Sequence, residues 1–121
     1  VRGAAYRLGE DALGQQAMAA LEFVGLAARE SDQAGLLSFG QQKLLELARA
    51  LVGSPDILLL DEPVAGVHGS LAGRITEMIG RLRDVGKSLL IIEHEWDVVR
   101  PVVNRILVLE GGRLRTPEDG T

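Results

Sequence analysis

Residues 57–66, ILLLDEPVAG, join a short apolar run to two adjacent acids and a proline. A continuous apolar run bounded by turn-forming residues predicts a strand that is buried on both faces, as in a parallel sheet. Asp61 and Glu62 leave that strand together, and two carboxylates at a buried strand end are costly unless a positive group lies nearby. The stretch therefore indicates either a solvated acidic turn or a strand end that meets a cation.

The chain that follows alternates between helix and strand patterns. Apolar residues at helical spacing predict a helix over residues 70–85, and a short apolar run predicts a strand over residues 89–92. A short helix kinked at its proline is expected over residues 96–103, and a third strand over residues 105–109. A hairpin-type turn is expected over residues 110–113. This alternation predicts an α/β fold with a parallel sheet and flanking helices.

Two further helices are predicted upstream of the apolar run. The first covers residues 9–24, and the second covers residues 38–52 after a polar loop at residues 27–35. Ser38 suits the N-cap position of the second helix. The apolar stripe expected on the first helix comprises Leu13, Ala17, Ala20, Leu21 and Val24.

The composition narrows the classes of protein. The 121 residues suit a single domain, and 46% hydrophobic with 25% charged residues is ordinary for a globular chain. A net charge of -4, from 13 basic and 17 acidic residues, argues against a general nucleic-acid binder. The absence of cysteine excludes disulfides, zinc–thiolate sites and thiol nucleophiles. No apolar run approaches the roughly 18 residues of a spanning helix, so we expect no insertion into a membrane.

Four ionisable residues follow two strands of the predicted sheet. Asp61 and Glu62 end the first strand, and Glu93 and His94 end the second. Because ligands bind beyond the carboxyl ends of parallel strands, we expect these residues on one edge of a site. An imidazole there can donate a hydrogen bond to a phosphate oxygen, although a lone histidine is more commonly structural or merely exposed.

The start of the second helix is a candidate anion site. Ser38 alone is explained by its role as a helix cap. The free N–H groups and positive dipole at a helix start also bind anions. Gly40 would permit close approach of a phosphate, and Gln41 offers a side-chain amide, so both interpretations remain open.

Three stretches, LSFGQQKLLELARAL, ILLLDEP and LLIIEHEWDVV, together resemble the second half of an ATP-binding cassette (ABC) ATPase domain, a P-loop NTPase fold. Residues 8–52 are similar to the rear of the helical subdomain and the signature helix, and residues 56–121 to the core from Walker B onward. The Walker A strand and its phosphate loop have no counterpart in the sequence. The resemblance implies that residues 1–121 are the C-terminal portion of one such domain, and we expect no ATPase activity from them alone.

The resemblance also implies roles for individual residues toward ATP and Mg²⁺. Asp61 would serve Mg²⁺ through a water, Glu62 would be the general base, and His94 the switch histidine. His68 occupies the D-loop position, where the family usually has Asp or Asn. The signature residues, which contact the ATP held by the opposite subunit, would be Ser38, Phe39, Gly40 and Gln41, with Phe39 in place of the usual glycine.

The expected partners follow from the same resemblance. They are a second ATPase subunit in a head-to-tail dimer and transmembrane permease subunits, at the cytoplasmic face of a bacterial plasma membrane. The residues of the signature stretch and of IIEHEWDVV are most similar to those of importer subunits for branched-chain amino acids. The alternatives are a non-transport member of the family, or a non-catalytic module that supplies a signature motif to a partner.

Overall fold

A computed structural model describes residues 2–117 of the chain, with side chains described from residue 11 onward. The helices are α1 Arg2–Val24, α2 Phe39–Leu51, α3 Ser70–Asp84 and α4 Trp96–Val99, with short 3₁₀ helices at Ala27–Arg29, Ala34–Leu36 and Arg100–Val102. The strands are β1 Ile57–Asp61, β2 Ser88–Ile92, β3 Val108–Glu110 and β4 Arg113–Arg115.

A two-stranded parallel sheet is formed by β1 and β2. β1 and β2 pair in parallel, with Ile57 opposite Ser88 and Asp61 opposite Ile92. Their crossover contains α3, which ends at Asp84 and is followed by Gly86 at a φ of +93°. The prediction of parallel strands joined by a helix is therefore confirmed, and both strands end at the same edge.

The hydrophobic core lies on one side of this sheet, among the helices. Alternate residues of β1 enter it, and Ile75 and Ile79 of α3 are each only 1% exposed. α1 and α2 contribute the end of the first helix and the apolar face of the second. The members from these helices are Ala20, Val24, Leu44, Leu47 and Ala48.

The opposite face of the sheet is exposed, so the prediction of a strand buried on both faces is wrong. Leu58 is 2% exposed, whereas its neighbours Ile57 and Leu59 are 66% and 73% exposed. Leu90 and Ile92 of β2 are also exposed, at 60% and 59%. The apolar pattern is correct, but within residues 2–117 the helices cover only one face. These four residues, Ile57, Leu59, Leu90 and Ile92, are called the open face below.

The third predicted strand does not join the parallel sheet. Residues 105–107 are not in a strand, and β3 instead pairs antiparallel with β4. Gly111 and Gly112 form the intervening turn at φ of +56° and +76°, which confirms the predicted hairpin turn. Two consecutive glycines with positive φ permit a tight hairpin turn. β3 therefore forms its backbone hydrogen bonds with β4, and not with the parallel sheet as predicted.

The helix boundaries differ from the predictions mainly near the start of the chain. α1 begins at Arg2, seven residues before the predicted start at Gly9, and Leu13 of the predicted stripe is 58% exposed. α4 ends at Val99 and continues as a 3₁₀ helix that contains Pro101, as expected for a proline break. Within the described residues, no helix has the length and apolar character needed to cross a lipid bilayer.

Candidate functional site

The carboxyl ends of β1 and β2 bring the predicted acidic residues and histidine together. The Glu62 N–H donates to the Ile92 carbonyl oxygen at 2.8 Å, which extends the strand pairing by one residue. His94 Nδ1 lies 3.3 Å from Glu62 Oε1, and the two side chains are 65% and 49% exposed. His94 Nε2 lies 4.0 Å from Glu95 Oε1, beyond hydrogen-bond reach. Glu62 and His94 thus form a solvent-accessible acid–imidazole pair beside Asp61.

The segment after β1, residues 62–69, is tightly folded; it is called the post-strand segment below. Glu62 has a φ of +49°, in the left-handed region that non-glycine residues seldom adopt. The Ala65 N–H donates to the Glu62 carbonyl oxygen at 3.1 Å, and the Val67 N–H donates to the Val64 carbonyl oxygen at 3.2 Å. Val64 and Val67 are buried at 1% and 5% exposure, so the core fixes the middle of the segment.

Glu93 holds the post-strand segment from the neighbouring strand. Its Oε1 accepts a hydrogen bond from the Val64 N–H at 2.9 Å. Its Oε2 is buried and has no hydrogen-bond partner among the described residues. The sequence placed Glu93 at this edge without a role. The available signal was its position directly after a strand, next to His94.

Ser38 and Gln41 form a capping box at the start of α2. The Ser38 Oγ accepts from the Gln41 N–H at 3.2 Å, and the Gln41 Oε1 accepts from the Ser38 N–H at 3.0 Å. The predicted N-cap is therefore confirmed. The Ser38 hydroxyl proton and the Gln41 amide N–H groups are still available as donors. This helix start is exposed and suited to a negatively charged group.

Gly40 has a packing role that the sequence did not reveal. A Cβ on Gly40 would collide with Cδ2 of Leu71, so the glycine leaves room for this side chain of α3. The structure thus supplies a reason for this residue besides the predicted approach of a phosphate, which stays a prediction. Phe39 is 57% exposed, and its Cε1 and Cζ lie 3.0 Å from the position of a Cβ on Gly66. This contact joins the start of α2 to the post-strand segment.

His68 does not interact with the acid–imidazole pair of Glu62 and His94. It is exposed and follows the buried Val67. It forms no hydrogen bond or ion pair with the other described residues. Asp61 is exposed at the strand end, and its carboxylate oxygens are the hard donors that Mg²⁺ prefers. In residues 2–117 no group of three or more His, Asp or Glu side chains is arranged to hold a metal by itself. The role of Asp61 toward Mg²⁺ therefore stays a prediction.

Comparison with known proteins identifies the family. Residues 4–65, half of the chain, match the profile of the ABC transporter family, and the chain belongs to that family. The α/β architecture with a parallel sheet is the architecture of its ATP-binding domains, and this confirms the fold class predicted from the signature, Walker B and histidine stretches.

Two relatives and one solved structure illustrate the similarity. The Phosphonates import ATP-binding protein PhnC of Stutzerimonas stutzeri is 39% identical over 101 residues, which cover 83% of this chain and 37% of that protein. The Probable branched-chain amino acid transport ATP-binding protein LivG of Methanocaldococcus jannaschii is 37% identical over 105 residues, which cover 87% and 41%. A crystal structure of the ADP conformation of an ATP-binding cassette of an ABC transporter matches with a TM-score of 0.78 and 37% identity, over 85% of this chain and 41% of that one. The chain thus spans about two fifths of the length of these relatives.

Proposed function

We propose that this chain is part of the ATP-binding and ATP-hydrolysing subunit of an ABC importer. The observation that carries the proposal is the 3.3 Å approach of His94 Nδ1 to Glu62 Oε1 at the ends of two parallel strands. An isolated acidic turn has no need of a histidine from the neighbouring strand. A phosphate-hydrolysing site uses both groups, one toward the attacking water and the other toward the phosphate.

Each residue at this edge has a distinct chemical task in the proposed function. Asp61 would hold Mg²⁺ through a water, and the ion would supply positive charge beside the phosphates. The Glu62 carboxylate accepts the proton of the attacking water, for which it is accessible and held beside the strand end. His94 donates a hydrogen bond to a phosphate oxygen and keeps the Glu62 carboxylate oriented.

The start of α2 contributes a second surface to the proposed function. This surface contacts the terminal phosphate of the ATP that the opposite subunit holds. Its residues are Ser38, Phe39, Gly40 and Gln41. The capping box supports this role, because its hydroxyl and amide groups lie at an accessible helix start with a positive dipole. Phe39 links this surface to the post-strand segment through Gly66. His68 lies in that same segment and would occupy the D-loop position.

The transported solute belongs to the finer part of the proposal. The resemblance of the signature stretch and the LivG relative favour branched-chain or related amino acids, although PhnC is named for phosphonates. The partners are a second ATPase subunit and transmembrane permease subunits at the cytoplasmic face of the membrane. The names of the relatives, as import and transport proteins, support this assignment over the non-transport alternative.

A reconstituted ATPase assay tests the proposed function. The chain is mixed with an amino-terminal piece of the Methanocaldococcus jannaschii LivG protein that ends where its match to this chain begins. We expect neither part alone to hydrolyse ATP and the mixture to do so. Glu62→Gln lowers turnover about 10²- to 10⁴-fold, because it removes the general base. Glu77→Gln, the same exchange at an exposed position of α3, leaves turnover unchanged. Equal turnover in both variants would refute the role of Glu62.

A second candidate function uses only the start of α2. The exposed capping box favours a non-catalytic module that supplies its signature surface to a separate ATP-loaded subunit. In that case the chain associates with such a subunit in an ATP-dependent manner, and Glu62→Gln has no effect on any ATPase activity. The reconstituted assay therefore separates the two candidates by the effect of a single variant.

A further inference from the structure

The Glu93 carboxylate joins β2 to the post-strand segment at a point that none of the family resemblances assigns. We propose that Glu93 is a positioning residue, which holds the Val64 N–H so that Glu62 stays in contact with His94. The bond from Val64 N–H to Glu93 Oε1, at 2.9 Å, connects residues that are 29 positions apart in the chain. The role builds on the proposed function, but the geometry is testable without nucleotide.

Consecutive residues of β2's extension hold two points of the same segment. Glu93 and His94 directly follow β2, which ends at Ile92. Glu93 reaches the backbone of Val64, and His94 reaches the side chain of Glu62. Because Glu62 and Val64 are two residues apart, the two contacts together fix both the path of the segment and the direction of its carboxylate.

The conformation of Glu62 explains why this restraint is needed. A φ of +49° is unfavourable for glutamate, and it persists only where neighbouring contacts enforce it. The Glu62 N–H bond to the Ile92 carbonyl oxygen enforces it on one side, and the Val64 bond to Glu93 enforces it on the other. Without the second bond, the Val64 N–H beside the core has no acceptor, and the segment must shift to satisfy it. That shift carries Glu62 away from His94.

The bonding pattern of the carboxylate predicts an order of substitutions. One oxygen accepts the bond, while the other, Oε2, is buried without a partner among the described residues. Glu93→Gln keeps an acceptor oxygen at the same reach and removes the charge. Glu93→Asp keeps the charge but withdraws the acceptor by one methylene, about 1.5 Å. A positioning role thus tolerates glutamine better than aspartate, whereas a role that depends on charge shows the reverse order.

Nuclear magnetic resonance on the 121-residue chain, without nucleotide, tests the proposal. The first readout is the change in the His94 ring ¹⁵N shifts caused by Glu62→Gln at one fixed pH. We expect this change in the wild type and in Glu93→Gln, and its loss in Glu93→Asp. The second readout is Val64 amide exchange, expected about tenfold to a hundredfold faster in Glu93→Asp, since the Val64 N–H loses its acceptor. The Leu60 amide, inside β1, serves as the control and keeps its rate.

Each other outcome overturns the proposal. A His94 response to Glu62→Gln that persists in Glu93→Asp shows that Glu93 does not position the pair. Loss of the response in Glu93→Gln shows that charge, not the acceptor, matters. If Glu93→Asp does not fold, two other measurements still test the proposal. Loss of the His94 response in Glu93→Gln contradicts it, and so does an unprotected Val64 amide in the wild type. None of these results depends on ATP binding, so the proposed function stands or falls separately.

Discussion

The two faces of the β1–β2 sheet have the same kind of residues and opposite environments. Leu58 and Leu59 are adjacent in β1, yet they are 2% and 73% exposed. The packed side meets Ile75 and Ile79 of α3, each 1% exposed, whereas the open face meets no helix of residues 2–117. Burial is thus decided by what packs on a strand and not by the residues in it. The candidate site lies at the strand ends, where both environments meet.

Truncation of the two neighbouring leucines is the largest test of this contrast. Leu58→Ala leaves a cavity against α3 and is expected to cost about 2–5 kcal/mol of unfolding free energy. Leu59→Ala removes the same atoms from the open face and is expected to change stability by no more than about 0.5 kcal/mol. Urea denaturation followed by circular dichroism measures both. Comparable losses in the two variants would show that the open face is covered in solution.

A glycine pair tests the packing of the post-strand segment. Gly66 has a φ of +73° and contacts the Phe39 ring, so Gly66→Ala is expected to cost about 1–2 kcal/mol. Gly73 lies within α3 with open space at its Cβ position, and Gly73→Ala is expected to stabilise the chain by about 0.5–1 kcal/mol. Thermal unfolding gives the sign of each change. Two changes of the same sign would contradict the described backbone.

Serine substitutions at two helix starts test the capping box. Ser38→Ala removes the acceptor of the Gln41 N–H and is expected to cost about 1 kcal/mol. Ser70→Ala at the start of α3, where no side chain caps the helix, should have little effect. Both variants are compared by urea denaturation. An equal loss from Ser70→Ala would argue that the Ser38 effect is not one of capping.

A polar substitution on the open face gives the smallest change in stability and tests solubility instead. Leu90→Thr keeps β propensity, and its stability should stay within about 0.5 kcal/mol of the wild type. Because exposed apolar sheet surface promotes association, the variant should self-associate less in sedimentation velocity. Ile91→Thr, at a half-buried position packed against the core, should clearly lower the free energy of unfolding. Unchanged self-association would exclude the open face as its cause.

Local patterns predicted the elements well because their causes are local. The N-cap at Ser38, the parallel pairing of the two apolar runs and the Gly111–Gly112 turn all depend on residues close in sequence or on strand order. The exposure of Leu59 and the exclusion of residues 105–107 from the sheet depend on which elements are present to pack and pair. No local pattern contains that information.

The candidate site shows the same division. Asp61, Glu62 and His94 were predictable as neighbours, because the ends of parallel strands share an edge. The Glu93 bond to Val64 and the contact of Gly40 with Leu71 were not, since each joins residues far apart in sequence through a backbone path that only the folded chain defines.

The most direct test of the account is nucleotide-dependent association with an ABC subunit. Calorimetry of the chain with the Methanocaldococcus jannaschii LivG protein should show binding about tenfold or more tighter with a non-hydrolysable ATP analogue than with ADP. The double variant Ser38→Ala with Gln41→Ala should lose this gain, and Gln16→Ala, exposed on α1, should keep it. Binding that is equal with either nucleotide, or that is indifferent to the double variant, would contradict the claim that this chain presents a surface for the terminal phosphate of ATP.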